Sequence, residues 1–202
     1  MDPDSSDYRR ALPCPYSGRQ AFSRTIAKPH GPVASGMHDA DATSDTLVRY
    51  HRVMRYLEDF EIGQTFGSST LRVDEEGIKR FAAEFDPQPF HLDDAAARRT
   101  LFGGLAASGW HTAALTMRLL VQSDVQPAGG IVGAGFDEFR WPRPVRPGDE
   151  LRIEAEVLEV RPSKSRPEQG MIKLRTTTLN QRNEPVQISV GNLVVPRRPG
   201  TA

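Results

Sequence analysis

The chain has 202 residues, enough for one domain with an appendage and a real core. Its 26 Lys and Arg are balanced by 26 Asp and Glu, so no global basic field exists to hold nucleic acid or an anionic membrane. The one cysteine, Cys14, excludes an internal disulfide and a Cys-based metal cluster, and no apolar run approaches the roughly 18–20 residues that span a bilayer; a soluble, cytoplasmic protein is expected, with no membrane and no nucleic acid among its partners.

Residues 1–53 are rich in Ser, Asp, Arg, Pro, Gly and Ala, contain the breakers Pro13, Pro15, Pro29 and Pro32, and are predicted to be a disordered extension. Arg9, Arg10, Arg19 and Arg24 among serines admit a transit peptide, but Asp2, Asp4 and Asp7 count against it. The patterned domain, residues 54–198, opens at Met54 with "MRYLEDFEIGQTF".

From Asp74, a natural N-cap, the pattern turns helical, with Ile78, Phe81, Ala82 and Phe85 on one stripe until Pro87 and Pro89 end it. Asp93 or Asp94 caps a short Ala-rich turn through Arg99, and "LFGGLAASG" forms a Gly-rich loop. Ser108 then caps a helix from Gly109 to about Val121. Its Trp110, Ala113, Ala114, Met117, Leu120 and Val121 predict deep burial, while the small Ala106, Ala107, Ala113 and Ala114 let a curved sheet approach.

After Gly129 the period becomes two. Leu151, Ile153, Ala155 and Val157 alternate with charged residues, Val186, Ile188 and Val190 repeat the pattern, and Ile172, Leu174, Thr176 and Thr178 follow it more weakly. Pro147 and Gly148 suit the centre of a type II turn, and "SKSRPEQG" and "NQRNEP" separate the remaining strands. The order of strand, helices, then several antiparallel strands is an α+β layout with helices on one face of a sheet.

The segment "FAAEFDPQPFHLDDAA", residues 81–96, resembles the D-x-N-P-x-H-x-D signature of MaoC-like hydratases. Asp86, Pro89, His91 and Asp93 match; Gln88 replaces the usual Asn, and Phe85 stands where a small Gly commonly precedes the Asp. The resemblance covers residues 56 to about 195. It implies a hotdog fold, a curved antiparallel sheet wrapped around a central helix, with Asp86 and His91 as the catalytic pair. Such a pair suits the chemistry, because adding water across a double bond conjugated to a thioester needs one group to take a proton from water and one to deliver a proton to the α-carbon. The plain alternatives are a turn-initiating Asp86, a hydrogen-bonded structural His91 and a helix-capping Asp93.

In "ASGWHTAAL", residues 107–115, the first amides of the predicted helix can receive an enolate oxyanion. The family places a Gly at this helix start, and Gly109 matches it; relief of crowding is the other reading. Ser108, Trp110 and Arg140 are the expected substrate contacts. The auxiliary Ser of some R-specific hydratases falls at about Met117 and is not carried over, and His111 is structural or lines the site. Arg140, Arg143 and Arg146 are either phosphate ligands for a coenzyme A arm or a solvated strand edge; Arg161, Lys164 and Arg166 face the same choice.

No Gly-x-Ser-x-Gly elbow, P-loop, dinucleotide fingerprint or His-Cys metal spacing occurs. The resemblance implies no cofactor and no metal, an acyl-CoA or acyl-carrier thioester as substrate, and a homodimer. A hotdog thioesterase and a non-catalytic acyl-thioester-binding subunit are the rivals, the latter kept open by Gln88.

Overall fold

A computed structural model describes residues 54–200. The predicted extension over 1–53, Cys14 included, lies outside the described residues. The described chain opens with a 3-10 turn, Leu57–Asp59, followed by short strands β1 (Thr65–Gly67) and β2 (Leu71–Arg72), so the expected leading strand is mostly turn.

Helix α1 (Glu75–Phe85) starts where expected, with the Asp74 carboxylate accepting from the Gly77 amide at 2.6 Å. It buries Ile78 and Ala82, but Phe85, at the end of its stripe, is exposed. Pro87 and Pro89 end α1, and Pro89 then opens a single turn, α2 (Pro89–Leu92), because its fixed φ suits a first helical position. Asp93 caps α3 (Asp94–Ala97) by accepting from the Ala96 amide at 2.7 Å, which establishes the capping reading of that residue. Ser108 caps α4 (Gly109–Gln122), its hydroxyl accepting from the Trp110 amide.

The sheet is completed by β3 (Val132–Arg140), β4 (Glu150–Pro162), β5 (Gln169–Leu179) and β6 (Pro185–Pro196). Its order is β1-β4-β5-β6-β3, every pairing antiparallel, with β2 also on β4 and β3 at an edge. Register shifts in β3 and β4 add the local twist that curves such a sheet. This is the α+β hotdog arrangement. Leu151, Ile153 and Val157 of β4, Ile172 and Leu174 of β5, Leu119 of α4 and Ile78 of α1 belong to one buried cluster. Gly148, at φ +87°, takes the left-handed position of the turn before β4, where the Asp149 amide donates to the Arg146 carbonyl.

Two elements depart in part from their apolar pattern. Much of the stripe of α4 is turned outward, Trp110, Met117 and Val121 being 64%, 43% and 57% exposed, and of that stripe Leu120 reaches the core, where it joins His111, Thr112, Thr116 and Leu119 among the buried residues. The helix is therefore not deeply buried all round. Strand β6 is mixed in the same way. Opposite residues of paired strands share a face, so the partners of Thr178, Thr176, Leu174 and Ile172, namely Gln187, Ser189, Gly191 and Leu193, are the residues facing α4, where the Thr116 and Thr178 hydroxyls meet at 2.7 Å. Of the expected inward residues, Val186 does join the buried core cluster, beside the register shift between Thr178 and Leu179, while Val190, opposite Arg175, is buried outside that cluster.

Candidate active site

The end of α1 and the two prolines build the turn that carries the candidate pair. Asp86 is the C-cap of α1, at φ −153° and ψ 66°, and its amide still donates to the Ala82 carbonyl. The chain then reverses, and the one-turn helix α2 lifts His91 back toward it. His91 Nε2 lies 3.5 Å from Asp86 Oδ2, so the two residues the motif singled out do converge.

Each partner is held by further groups. Asp86 Oδ2 accepts from Ser108 Oγ at 2.6 Å and Oδ1 accepts from Gln88 Nε2 at 2.7 Å. Burial by itself would push the Asp86 carboxyl up; the hydrogen bonds from Ser108 and Gln88 and the nearby imidazole outweigh it and hold the group below its ordinary range. The longer amide at position 88 thus serves the carboxylate instead of displacing the turn.

His91 is buried, and its Nδ1 lies 2.8 Å from the Ala106 carbonyl oxygen. A carbonyl only accepts, so Nδ1 carries the hydrogen, and in the neutral ring Nε2 presents a lone pair. Phe90 and Phe102 pack around the ring, with centroids at 4.5 and 5.8 Å.

The loop that supplies the Ala106 carbonyl is itself clamped. Asp94 Oδ1 accepts from the Leu105 amide at 2.9 Å, and the Arg146 guanidinium donates to the carbonyls of Phe102, Gly104 and Leu105. Arg146 is therefore committed to the loop, which removes it from the possible phosphate ligands. Sequence reasoning missed this clamp and the Ala106 carbonyl alike, because their partners are backbone atoms that carry no side-chain signal.

Ser108 is fully buried with its hydroxyl on Asp86, so it orients the carboxylate. Gly109 follows as the first residue of α4, whose leading amides lack intrahelical partners. A Cβ on Gly109 would stand 3.0 Å from the Trp141 ring, so the glycine also relieves crowding there, and a larger residue requires the indole to shift by a few tenths of an ångström. His111 stacks flat on Phe81 at 4.7 Å with its Nδ1 unpartnered among the described residues, and burial pushes its pKa down.

Beyond Trp110 a cleft of about 170 Å³ runs between α4 and strands β3, β5 and β6. Trp110 lines it and meets Trp141 edge to face at 5.6 Å. Arg140 pairs instead with Glu138 at 2.7 Å and has no contact with the catalytic pair among the described residues; Arg143 reaches the Pro185 carbonyl and Glu184. A second hollow, beside β1, is lined by Arg152, Glu154, Glu156 and Arg175, whose charges pair with one another, and it contains none of the expected site residues.

Comparison with known proteins identifies the family and the fold. Residues 59–179 match the model of the MaoC like domain. The chain is 35% identical over 139 residues to the uncharacterized protein YdeM of Bacillus subtilis, covering 69% of this chain and 96% of that one. It is similar to the crystal structure of a MaoC-like dehydratase from Rhodospirillum rubrum, at 59% identity and TM-score 0.70 over 72% of this chain and 99% of that one. The unliganded R-hydratase PhaJ1 of Pseudomonas aeruginosa is similar at 30% identity and TM-score 0.56, covering 71% and 86%.

Proposed function

The chain belongs to the family of MaoC-like domains, and on that premise we propose that it catalyses the reversible addition of water to 2-enoyl thioesters, giving 3-hydroxyacyl thioesters. One observation carries the reading: Asp86 Oδ2 and the lone pair of His91 Nε2 face each other at 3.5 Å, both as acceptors. Two acceptors at that distance need hydrogen between them, and one water donating to both supplies it.

The chemistry follows from that water. Its oxygen attacks the β-carbon while His91 Nε2 takes the departing proton; the ionised Asp86 stabilises the resulting imidazolium, which returns a proton to the α-carbon. Charge gathers meanwhile on the thioester oxygen, which the Gly109 amide at the start of α4 receives, and the acyl group extends past Trp110 into the cleft. The carrier is coenzyme A or an acyl carrier protein. The open stripe of α4 and the edge strand β3, with Met117, Val121 and Val132 exposed, are surfaces that a second copy covers in a homodimer.

The test is a panel of enoyl-CoAs of several chain lengths followed by mass spectrometry. A gain of one water with the thioester intact is expected. Release of free thiol instead would make the protein a thioesterase, and acyl-CoA binding without conversion would make it a binding subunit.

A further inference from the structure

The wall of the cleft opposite α4 is polar at one end and apolar at the other. Moving along β6 on the face toward α4, Gln187 comes first, then Ser189, Gly191 and Leu193; across the ladder on β5 stand Thr178, Thr176, Leu174 and Ile172. The polar rungs lie at the end toward the start of α4, because Trp141, whose ring packs on Gly109, also donates from Nε1 to Gln187 Oε1 at 3.0 Å. Leu193, with Leu120 and Ile131, lines the cleft further on.

Gln187 is 2% exposed, a costly position for an amide. Indole nitrogen only donates, so the Gln187 oxygen must face Trp141 and the NH₂ group must point elsewhere. That NH₂ group has no hydrogen-bond partner among the described residues, nor have the hydroxyls of Thr176 and Ser189; the three residues are buried as wholes but line the cleft, and their unpartnered polar atoms are not sealed, so they open onto it. Three groups able to donate thus open onto the first part of an otherwise apolar passage, with no cation among its lining residues to neutralise an acid.

We infer that the acyl group taken by this site carries an uncharged oxygen close to its reacting carbons, met by Gln187 with Ser189 and Thr176, and an apolar remainder that fills the cleft toward Leu193. This specificity rests on the hydratase reading for its orientation, since the thioester is placed at Gly109. A plain alkyl chain leaves the three donors dry and unpaired; a ketone or hydroxyl on the fourth carbon satisfies them. The site selects against the alkyl chain because unpaired buried donors cost more than the mean hydrogen bond returns.

The experiment compares, on the full chain, equilibrium binding of hexanoyl-CoA with that of its analogues bearing a ketone on the fourth or the fifth carbon, together with turnover of the corresponding enoyl-CoAs. The fourth-carbon ketone should bind about ten- to a hundredfold tighter than the alkyl chain, with the fifth-carbon ketone between them. Gln187→Leu should erase that preference while retaining hexanoyl-CoA. Because this substitution also strands the Trp141 indole, Thr176→Val and Ser189→Ala serve as milder variants, each expected to cut the preference about threefold or more. Equal or tighter binding of hexanoyl-CoA by the unaltered protein, or a ketone preference that survives all three variants, overturns the inference. Turnover separates the two readings: hydration without ketone preference removes only the specificity, whereas ketone-selective binding without hydration removes only the reaction.

Discussion

Helices α1 and α4 both begin at a side-chain cap and both carry an apolar stripe, yet they use it oppositely. Helix α1 turns Ile78 and Ala82 into the core and ends on Asp86, the carboxylate of the candidate pair. Helix α4 buries Thr112 and Thr116 and leaves Trp110, Met117 and Val121 in the open. The first helix spends its apolar residues on the fold of one chain; the second leaves them on its surface, where the proposed substrate and second copy would cover them. An apolar stripe therefore marks a surface to be covered without saying by what.

The contrast can be broken most severely where α1 ends. Asp86→Asn keeps the size of the side chain and removes its charge, so hydration should fall about 10²- to 10⁴-fold, with a small fall in melting temperature because one of the two hydrogen bonds accepted from Ser108 and Gln88 is lost; steady-state rates and calorimetry report the two separately. Next, Ile78→Ala on α1 should cost about 2–5 kcal/mol of stability, whereas Met117→Ala on the open stripe of α4 should cost under about 1 kcal/mol in the single copy. Denaturant titration of both variants at low protein concentration measures this, and equal costs would erase the distinction between the helices. Val121→Asp places a charge where a second copy would bury it, and should weaken self-association about 10- to 100-fold by sedimentation.

The smallest expected effect lies where the two helices meet. Ser108→Ala removes both the cap of α4 and the shortest hydrogen bond to Asp86, costing about 1 kcal/mol. It also carries a pH signature. The Asp86 carboxyl is held below its ordinary range, so it contributes stability that is present above the unfolded-state value and is lost as pH falls through the folded one. Without Ser108 the folded value rises toward the ordinary one, and carbon NMR of the carboxyl should follow it upward.

How much of this was legible in the sequence depended on what partnered each residue. The caps at Asp74, Asp93 and Ser108 and the turn at Gly148 were readable because a side chain and its neighbouring amide are local. The meeting of Asp86 and His91 was readable from the two prolines and the family signature together. Helix α4 and strand β6 were assigned their inward faces correctly only in part: Leu120 and Val186 do join the core, but periodicity sends apolar residues inward, and here Thr116, Gln187 and Ser189 occupy much of that side. The Ala106 carbonyl that fixes the His91 tautomer had no sequence signal at all.

The clamp on the Gly-rich loop has a consequence for how this fold tolerates change in chain length. Arg146 grips the loop from within a four-residue turn, where its own amide donates to Asp149 Oδ2, and the Val145 carbonyl just before it accepts from the Ala107 amide. One extra residue there would pull the guanidinium off the carbonyls and tilt the imidazole several residues away in space. At the other end of β4, the exposed connection around Lys164 bears on nothing catalytic, so insertions accepted there should be rejected between Arg146 and Asp149.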